Sequence, residues 1–241
     1  MQFFEYGKPD GAPLLFLLGT PHTGDSVADL SELASELGIR LICPTRSWYI
    51  DAAAEPSFES CSGPVLDYLA EAGITRAVVM GGSGGGPFAL HLATNNPDLF
   101  GACYLLASMG DAAVFQQAVA SPHTQALLEL FRTSNYDQAV AQLVEWGVPS
   151  QLAHGVWADF RVLLGSWATI DFSSRIPVYI HHGEHDDNAP LASVQALASR
   201  LGACELRLSP NASHLGLAND KEFTEFRTIF SEAAGSLAAV A

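Results

Sequence analysis

Ser83 stands in Gly81-Gly82-Ser83-Gly84-Gly85, a G-x-S-x-G pattern that follows the apolar run Val78-Val79-Met80. A helix-like stretch through Phe88, Ala89, Leu90, Leu92 and Ala93 comes next. A serine at a sharp strand-to-helix turn takes a strained backbone conformation, and side chains on its neighbours would collide there. Glycine on both sides removes the collisions. The helix behind the turn aims free N–H groups and the positive end of its dipole at the serine. The chemistry is that of a nucleophile. Two other readings stay open on this stretch alone. The glycines can form a plain tight turn, or a phosphate cradle, since Gly84-x-Gly86-x-x-Ala89 loosely fits a dinucleotide fingerprint. A Walker loop is excluded because no Gly-Lys-Ser/Thr follows.

A serine hydroxyl is a weak nucleophile until a base takes its proton, and that base needs a third group to fix its tautomer. Asp186 lies in the stretch His181-His182-Gly183-Glu184-His185-Asp186-Asp187-Asn188-Ala189-Pro190, at the end of the strand-like Ile176-Pro177-Val178-Tyr179-Ile180. His214 lies in Ala212-Ser213-His214, beyond a second apolar run at Cys204–Leu208. Loops beyond the carboxyl ends of parallel strands converge, so Ser83, Asp186 and His214 can meet although they are far apart in sequence. Asp187 and Asp111 are the rival acids. The histidines at 181, 182 and 185 invite a metal reading together with His214, but no ligand spacing typical of zinc is present. They are read instead as support for the acid loop or as strand-end residues, and no metal is expected.

The elements that must position these residues follow in order. Phe3, Phe4 and Tyr6 predict a short strand closed by Gly7-Lys8-Pro9-Asp10-Gly11. Leu14–Leu18 is a continuous apolar run, the mark of a parallel strand buried on both faces. Leu30, Leu33, Ala34 and Leu37 predict a helix, and Ile39–Cys43 a second buried strand. A helix through Val65, Leu66, Leu69 and Ala70, the strand Ala77–Met80, the elbow helix and the strand Ala102–Leu106 complete the first half. Strands alternating with helices predict a mostly parallel, twisted α/β sheet with helices on both faces. The rhythm changes between Met109 and Ser173, where helical patterns replace strands and aromatic residues concentrate. This segment, 109–173, reads as a helical lid inserted before the acid-bearing strand, with 1–108 and 174–241 forming the α/β core. Trp146, Trp157 and Phe160 are expected to help wall an apolar pocket beneath it, the usual composition of a small-molecule site, while others of the aromatics serve helix packing.

Composition narrows the class. Of the 241 residues, 49% are hydrophobic and 15% charged, which fits one globular domain and not a disordered chain. A formal charge of −15 argues against nucleic acid and anionic membranes as partners, and since acidic charge also favours solubility it need carry no function; a small-molecule substrate is the expected partner on other grounds, given below. The oligomeric state is not legible. The four cysteines are widely spaced, with no C-x-x-C pair, so neither a disulfide framework nor a zinc site is expected. The first residues carry no basic leader pattern, and no eighteen-residue apolar span occurs, so a soluble, cytoplasmic protein is expected.

Taken together, Leu18-Gly19-Thr20-Pro21 after the first buried strand, the elbow around Ser83, Gly183-x-x-Asp186-x-x-x-Pro190 and Ala212-Ser213-His214 resemble the α/β-hydrolase superfamily over nearly the whole chain. The order Ser–Asp–His is that family's order. The resemblance implies Ser83 as nucleophile, His214 as base and Asp186 as the acid that orients it. It also implies an oxyanion hole made by the backbone N–H groups of Thr20 and Gly84. The chain departs from the pattern at Leu18, where a histidine commonly precedes the first-loop glycine, and in having room for only one strand ahead of Leu14. His22, in the same loop, is either a surface residue or a substrate contact. The expected activity is hydrolysis of an ester, thioester or lactone of modest size, without metal or organic cofactor. A cofactor-free lyase or oxygenase with His214 as base, and a small-molecule receptor with a slow triad, are the alternatives on the same fold.

Overall fold

The apolar runs pair into one sheet. The computed structural model describes residues 1–165, 167, 175–214 and 224–238. The strands are β1 (Gln2–Gly7), β2 (Ala12–Leu17), β3 (Ile39–Thr45), β4 (Ala77–Gly82), β5 (Phe100–Leu106), β6 (Val178–Gly183) and β7 (Cys204–Ser209). They lie in the order β1-β3-β2-β4-β5-β6-β7. β1 is antiparallel to β3, and every other pairing is parallel. The mostly parallel α/β sheet read from the sequence is therefore present, and a single strand precedes β2.

Side chains alternate across each strand, and this decides what covers each face. Leu14, Phe16 and Leu18 point with Leu41, Val78 and Met80 toward α1 (Ser31–Glu36) and α9 (Thr224–Ala238), where Ile229 and Phe230 receive them. Leu15 and Leu17 point the other way, with Ile42, Val79 and Leu105. That layer is covered by α2 (Phe58–Glu71), α3 (Gly86–Asn95) and α8 (Leu191–Arg200), through Phe58, Val65, Phe88, Leu92, Val194 and Leu197. Burial on both faces is why these strands are continuous apolar runs.

Between β5 and β6 the chain forms α4 (Ala112–Ala118), α5 (Pro122–Thr133), α6 (Tyr136–Glu145) and α7 (Ser150–Gly165). Their starts are locally encoded. Asp111 accepts the N–H groups of Ala113 and Val114, Ser121 that of Thr124 ahead of Pro122, and Asn135 and Gln138 form a reciprocal box. Leu130, Ala139, Leu143, Ala153 and Val156 make a small core among these helices. Phe115, Leu128, Ala158, Val162 and Leu163 tie them to the main one. Residues 168–173, the expected boundary at 174, Leu215, Gly216 and Phe223 lie outside the described residues. No helix among the described residues is long and apolar enough to cross a membrane.

Candidate active site

β4 ends in the elbow. Ser83 has φ +47°, in the left-handed region that costs a non-glycine residue energy, and it opens a short 3-10 turn, Ser83–Gly85, that leads into α3. A Cβ on Gly85 would lie 2.1 Å from the Leu17 carbonyl oxygen, so glycine there lets β2 approach the turn directly.

Three loops converge on this serine. His214 Nε2 lies 3.1 Å from Ser83 Oγ, and His214 Nδ1 lies 2.8 Å from Asp186 Oδ2. Asp186 is buried, and its other oxygen accepts the N–H groups of Asn188 at 3.0 Å and Ala189 at 2.8 Å. With Asp186 ionised, Nδ1 of His214 carries the ring proton and Nε2 faces the serine hydroxyl as an acceptor. The geometry suits proton transfer from Ser83 to His214, with Asp186 opposite the charge that forms.

The neighbouring residues take other parts. Asp187 is exposed at the surface. Asp111 caps α4 and pairs with Arg200 at 2.8 Å. His182 is buried and donates from Nε2 to the Ala189 carbonyl at 2.7 Å, 3.6 Å from Asp186 Oδ2. Burial holds it below the ordinary histidine range despite the nearby Asp186 carboxylate. His181 projects from the opposite face of β6, against the Tyr104 ring, and His185 is exposed. Among the described residues no three His, Cys, Asp or Glu side chains group as metal ligands would.

The loop after β2 faces the residue after the nucleophile. A Cβ on Gly84 would lie 3.0 Å from Thr20 Oγ1 and 3.7 Å from the Thr20 nitrogen. The Thr20 N–H makes no backbone hydrogen bond among the described residues, and Gly84 lies in the turn that opens at Ser83.

Two cavities meet at Ser83 and His214. One, of about 290 Å³, is walled by Phe16, Leu18, Val27, Leu106 and Phe226, with the exposed His22 at its edge. The other, of about 210 Å³, lies under α4–α7 and is walled by Met109, Phe115, Leu127, Val156, Phe160 and Leu163. Phe160 and His22 thus line the two cavities that open at Ser83. Trp146 and Trp157, expected to help wall the pocket, line neither of these two cavities. Val156, Phe160 and Leu163 recur at helical spacing and face the cavity, whereas Trp157 is one residue round the helix and packs on Phe131 and Tyr136. Trp146 ends α6, is 40% exposed and stands behind the cavity-lining His123.

Sequence reasoning missed Arg46 and Asp159. Both are fully buried, and they form an ion pair at 2.5 Å beside the loop that carries Thr20. The available signal was a carboxylate on the buried stripe of α7, between Ala158 and Phe160 and one turn from Gly155 and Val156.

Residues 65–228 match the family model described as "Putative esterase". The chain belongs to that family. No curated protein matches it. Among solved structures, an alpha/beta hydrolase fold protein from Nakamurella multipartita is 18% identical, with 97% of this chain and 95% of that one covered and a TM-score of 0.66. Rv0554 from Mycobacterium tuberculosis is 18% identical, covering 97% and 93%, with a TM-score of 0.68. A hydrolase from Pseudomonas aeruginosa PA01 is 15% identical, covering 94% and 92%, with a TM-score of 0.63. At these identities the structures share the α/β-hydrolase fold with this member of the esterase family, and the family match makes it a hydrolase of that fold.

Proposed function

We propose that this hydrolase cleaves a small, partly apolar ester, thioester or lactone through an acyl-enzyme on Ser83. The observation that carries the reading is the continuous Asp186–His214–Ser83 hydrogen-bond chain ending on a serine with φ +47°. His214 Nε2 takes the hydroxyl proton as Ser83 Oγ bonds to the substrate carbonyl carbon. The carbonyl electron pair moves onto oxygen, where the N–H groups of Thr20 and Gly84 receive it. Collapse of the intermediate expels the alkoxide or thiolate, which takes its proton from His214. Water then attacks the acyl-enzyme with the same base, and the acid leaves. Asp186 keeps the imidazole in the productive tautomer and faces the imidazolium.

The two cavities give the substrate an arm on each side of the scissile carbonyl. Their apolar walls favour hydrocarbon groups on both arms. The walls under α4–α7 position one arm and exclude water, which makes the helical segment a specificity lid in this reading. Ser83→Ala is expected to abolish turnover of a p-nitrophenyl ester and stoichiometric labelling by a fluorophosphonate. Undiminished labelling of that variant removes Ser83 from the mechanism.

A further inference from the structure

Asp159, in the middle of α7, accepts five hydrogen bonds. Arg46 Nε at 2.8 Å and Trp48 Nε1 at 2.8 Å donate to Oδ1; Arg46 Nη2 at 2.5 Å, Tyr49 Oη at 2.6 Å and Thr20 Oγ1 at 2.5 Å donate to Oδ2. The third guanidinium nitrogen of Arg46, Nη1, donates to the Leu18 carbonyl at 2.7 Å. Burial works against the charged form of Arg46, but the Asp159 carboxylate outweighs it and pushes the guanidinium above its ordinary range. α7 is shaped for this contact: a Cβ on Gly155, one turn before Asp159, would lie 2.2 Å from the Tyr49 ring.

Such a pair is a poor device for stability alone, because desolvating two charges offsets most of their attraction and apolar residues of the same shape often do as well. What it supplies is direction. Arg46 is a rigid planar fork, and every bond it makes fixes a partner in angle as well as distance. Two contacts leave the cluster for the loop after β2: Arg46 to Leu18 and Thr20 to Asp159. They grip the loop on both sides of Gly19, where a Cβ would sit 2.8 Å from Ser83 Cβ. A histidine side chain at position 18 is absent here, and Leu18 instead turns its side chain into the α1/α9 core while its carbonyl is held by Arg46.

We propose that Asp159 and Arg46 are positioning residues for the oxyanion site, holding Leu18–Thr20 so that the Thr20 N–H meets the charge that develops on the substrate oxygen. The inference rests on the acyl-enzyme reading of Ser83. It makes α7 part of the device that sets the reaction rate as well as a wall of the substrate cavity.

The test separates the two claims. Thr20→Val removes only the hydroxyl that ties the loop to Asp159; the backbone N–H and the ion pair stay. Removing an oxyanion donor outright costs about 10²–10³-fold, so misplacing one is expected to lower kcat on p-nitrophenyl butyrate by about 10–100-fold. KM stays within about twofold, because the planar ground state does not use the donor. Affinity for a trifluoromethyl ketone, which forms a tetrahedral oxyanion adduct on Ser83, falls by the same factor as kcat. Asp159→Asn is expected to move both quantities in the same direction, and if it does not fold, Thr20→Val decides. Asp111→Ala, which removes a helix cap and an ion pair in the same helical region away from the loop, lowers the melting temperature and leaves kcat unchanged. Wild-type kcat and ketone affinity in Thr20→Val, with Ser83 still labelled by a fluorophosphonate, overturn the positioning role and leave the acyl-enzyme standing. Failure of the wild-type enzyme to label at Ser83 overturns the acyl-enzyme, and this inference falls with it.

Discussion

The two sides of Ser83 are built at different ranges. On the acid–base side, Asp186 is held by the N–H groups of residues two and three positions on, and His182, four positions back, braces the same short loop through Ala189. On the side proposed to receive the oxyanion, the Leu18–Thr20 loop is held by Arg46, 28 positions from Leu18, and by Asp159, 139 positions from Thr20. The loop that holds Asp186 forms within one strand–helix crossover, and its tie to the serine runs through His214, 28 positions from Asp186 and 131 from Ser83. The other side exists only when β3 and α7 have both docked on the sheet. The acid–base side should therefore answer to substitutions in its own loop, and the oxyanion side to anything that shifts α7.

The largest effect expected is on the local side. Asp186→Asn leaves geometry nearly intact but favours the wrong imidazole tautomer, and kcat is expected to fall about 10⁴-fold, whereas exposed Asp187→Asn changes it only a few-fold. The reverse ranking in steady-state assays gives the acid role to Asp187. On the long-range side the loss appears first in stability. Asp159→Asn leaves Arg46 buried without its counter-charge, and denaturant unfolding should show a loss of about 3–5 kcal/mol. Gly155→Ala, which forces a methyl against Tyr49, should cost about 1–3 kcal/mol and lower kcat with it. Unchanged kcat at a lowered stability would uncouple α7 from the oxyanion loop.

Smaller effects sharpen the division within α7. Phe160→Ala opens the cavity wall and should cut the preference for butyl over acetyl esters by about tenfold, the scale of about one methylene in an apolar pocket. Trp157→Ala should lower the melting temperature and leave that preference unchanged. The smallest effect is a slope with pH. Burial holds both His181 and His182 below the ordinary histidine range; Arg207 adds to this at His181, and Asp186 opposes it at His182. The unfolded chain takes up protons near pH 6.5 that the folded chain does not, so stability falls as pH drops below about 6.5. His182→Gln is expected to flatten that slope in chemical unfolding between pH 7 and 5. An unaltered slope would show that His182 does not contribute to it.

Legibility in the sequence follows the same division. Strands buried on both faces write themselves as apolar runs, and caps such as Asn135–Gln138 write helix starts, so the α/β alternation and the helical segment were readable. Ser83, Asp186 and His214 each sit in a short pattern next to a strand end. Arg46 and Asp159 have no such pattern, since each is one charged residue whose partner lies in a distant element, and only packing reveals that they meet. That Trp146 and Trp157 stand away from both cavities was hidden for a related reason. Composition says that a helix is rich in aromatics, but a rotation of one residue, from Val156 to Trp157, separates the cavity face from the packing face. The placement of β1 antiparallel at the sheet edge was likewise a matter of pairing and not of pattern.

Gly155 and Asp159 bear on how far this enzyme can be remodelled. A cap of helices over an α/β core invites transplantation: exchange the cap, keep the core, and obtain a new substrate range. In this molecule the seam does not run where the secondary structure changes. One face of α7 belongs to the chassis, because the glycine that admits Tyr49 and the carboxylate that grips Arg46 are both on it. A chimaera that imports a foreign α7 inherits a guanidinium with no counter-ion and a slack first loop, whatever its new pocket can hold. The graft that keeps positions 155 and 159 while changing 156, 160 and 163 alters the pocket and leaves the chassis whole.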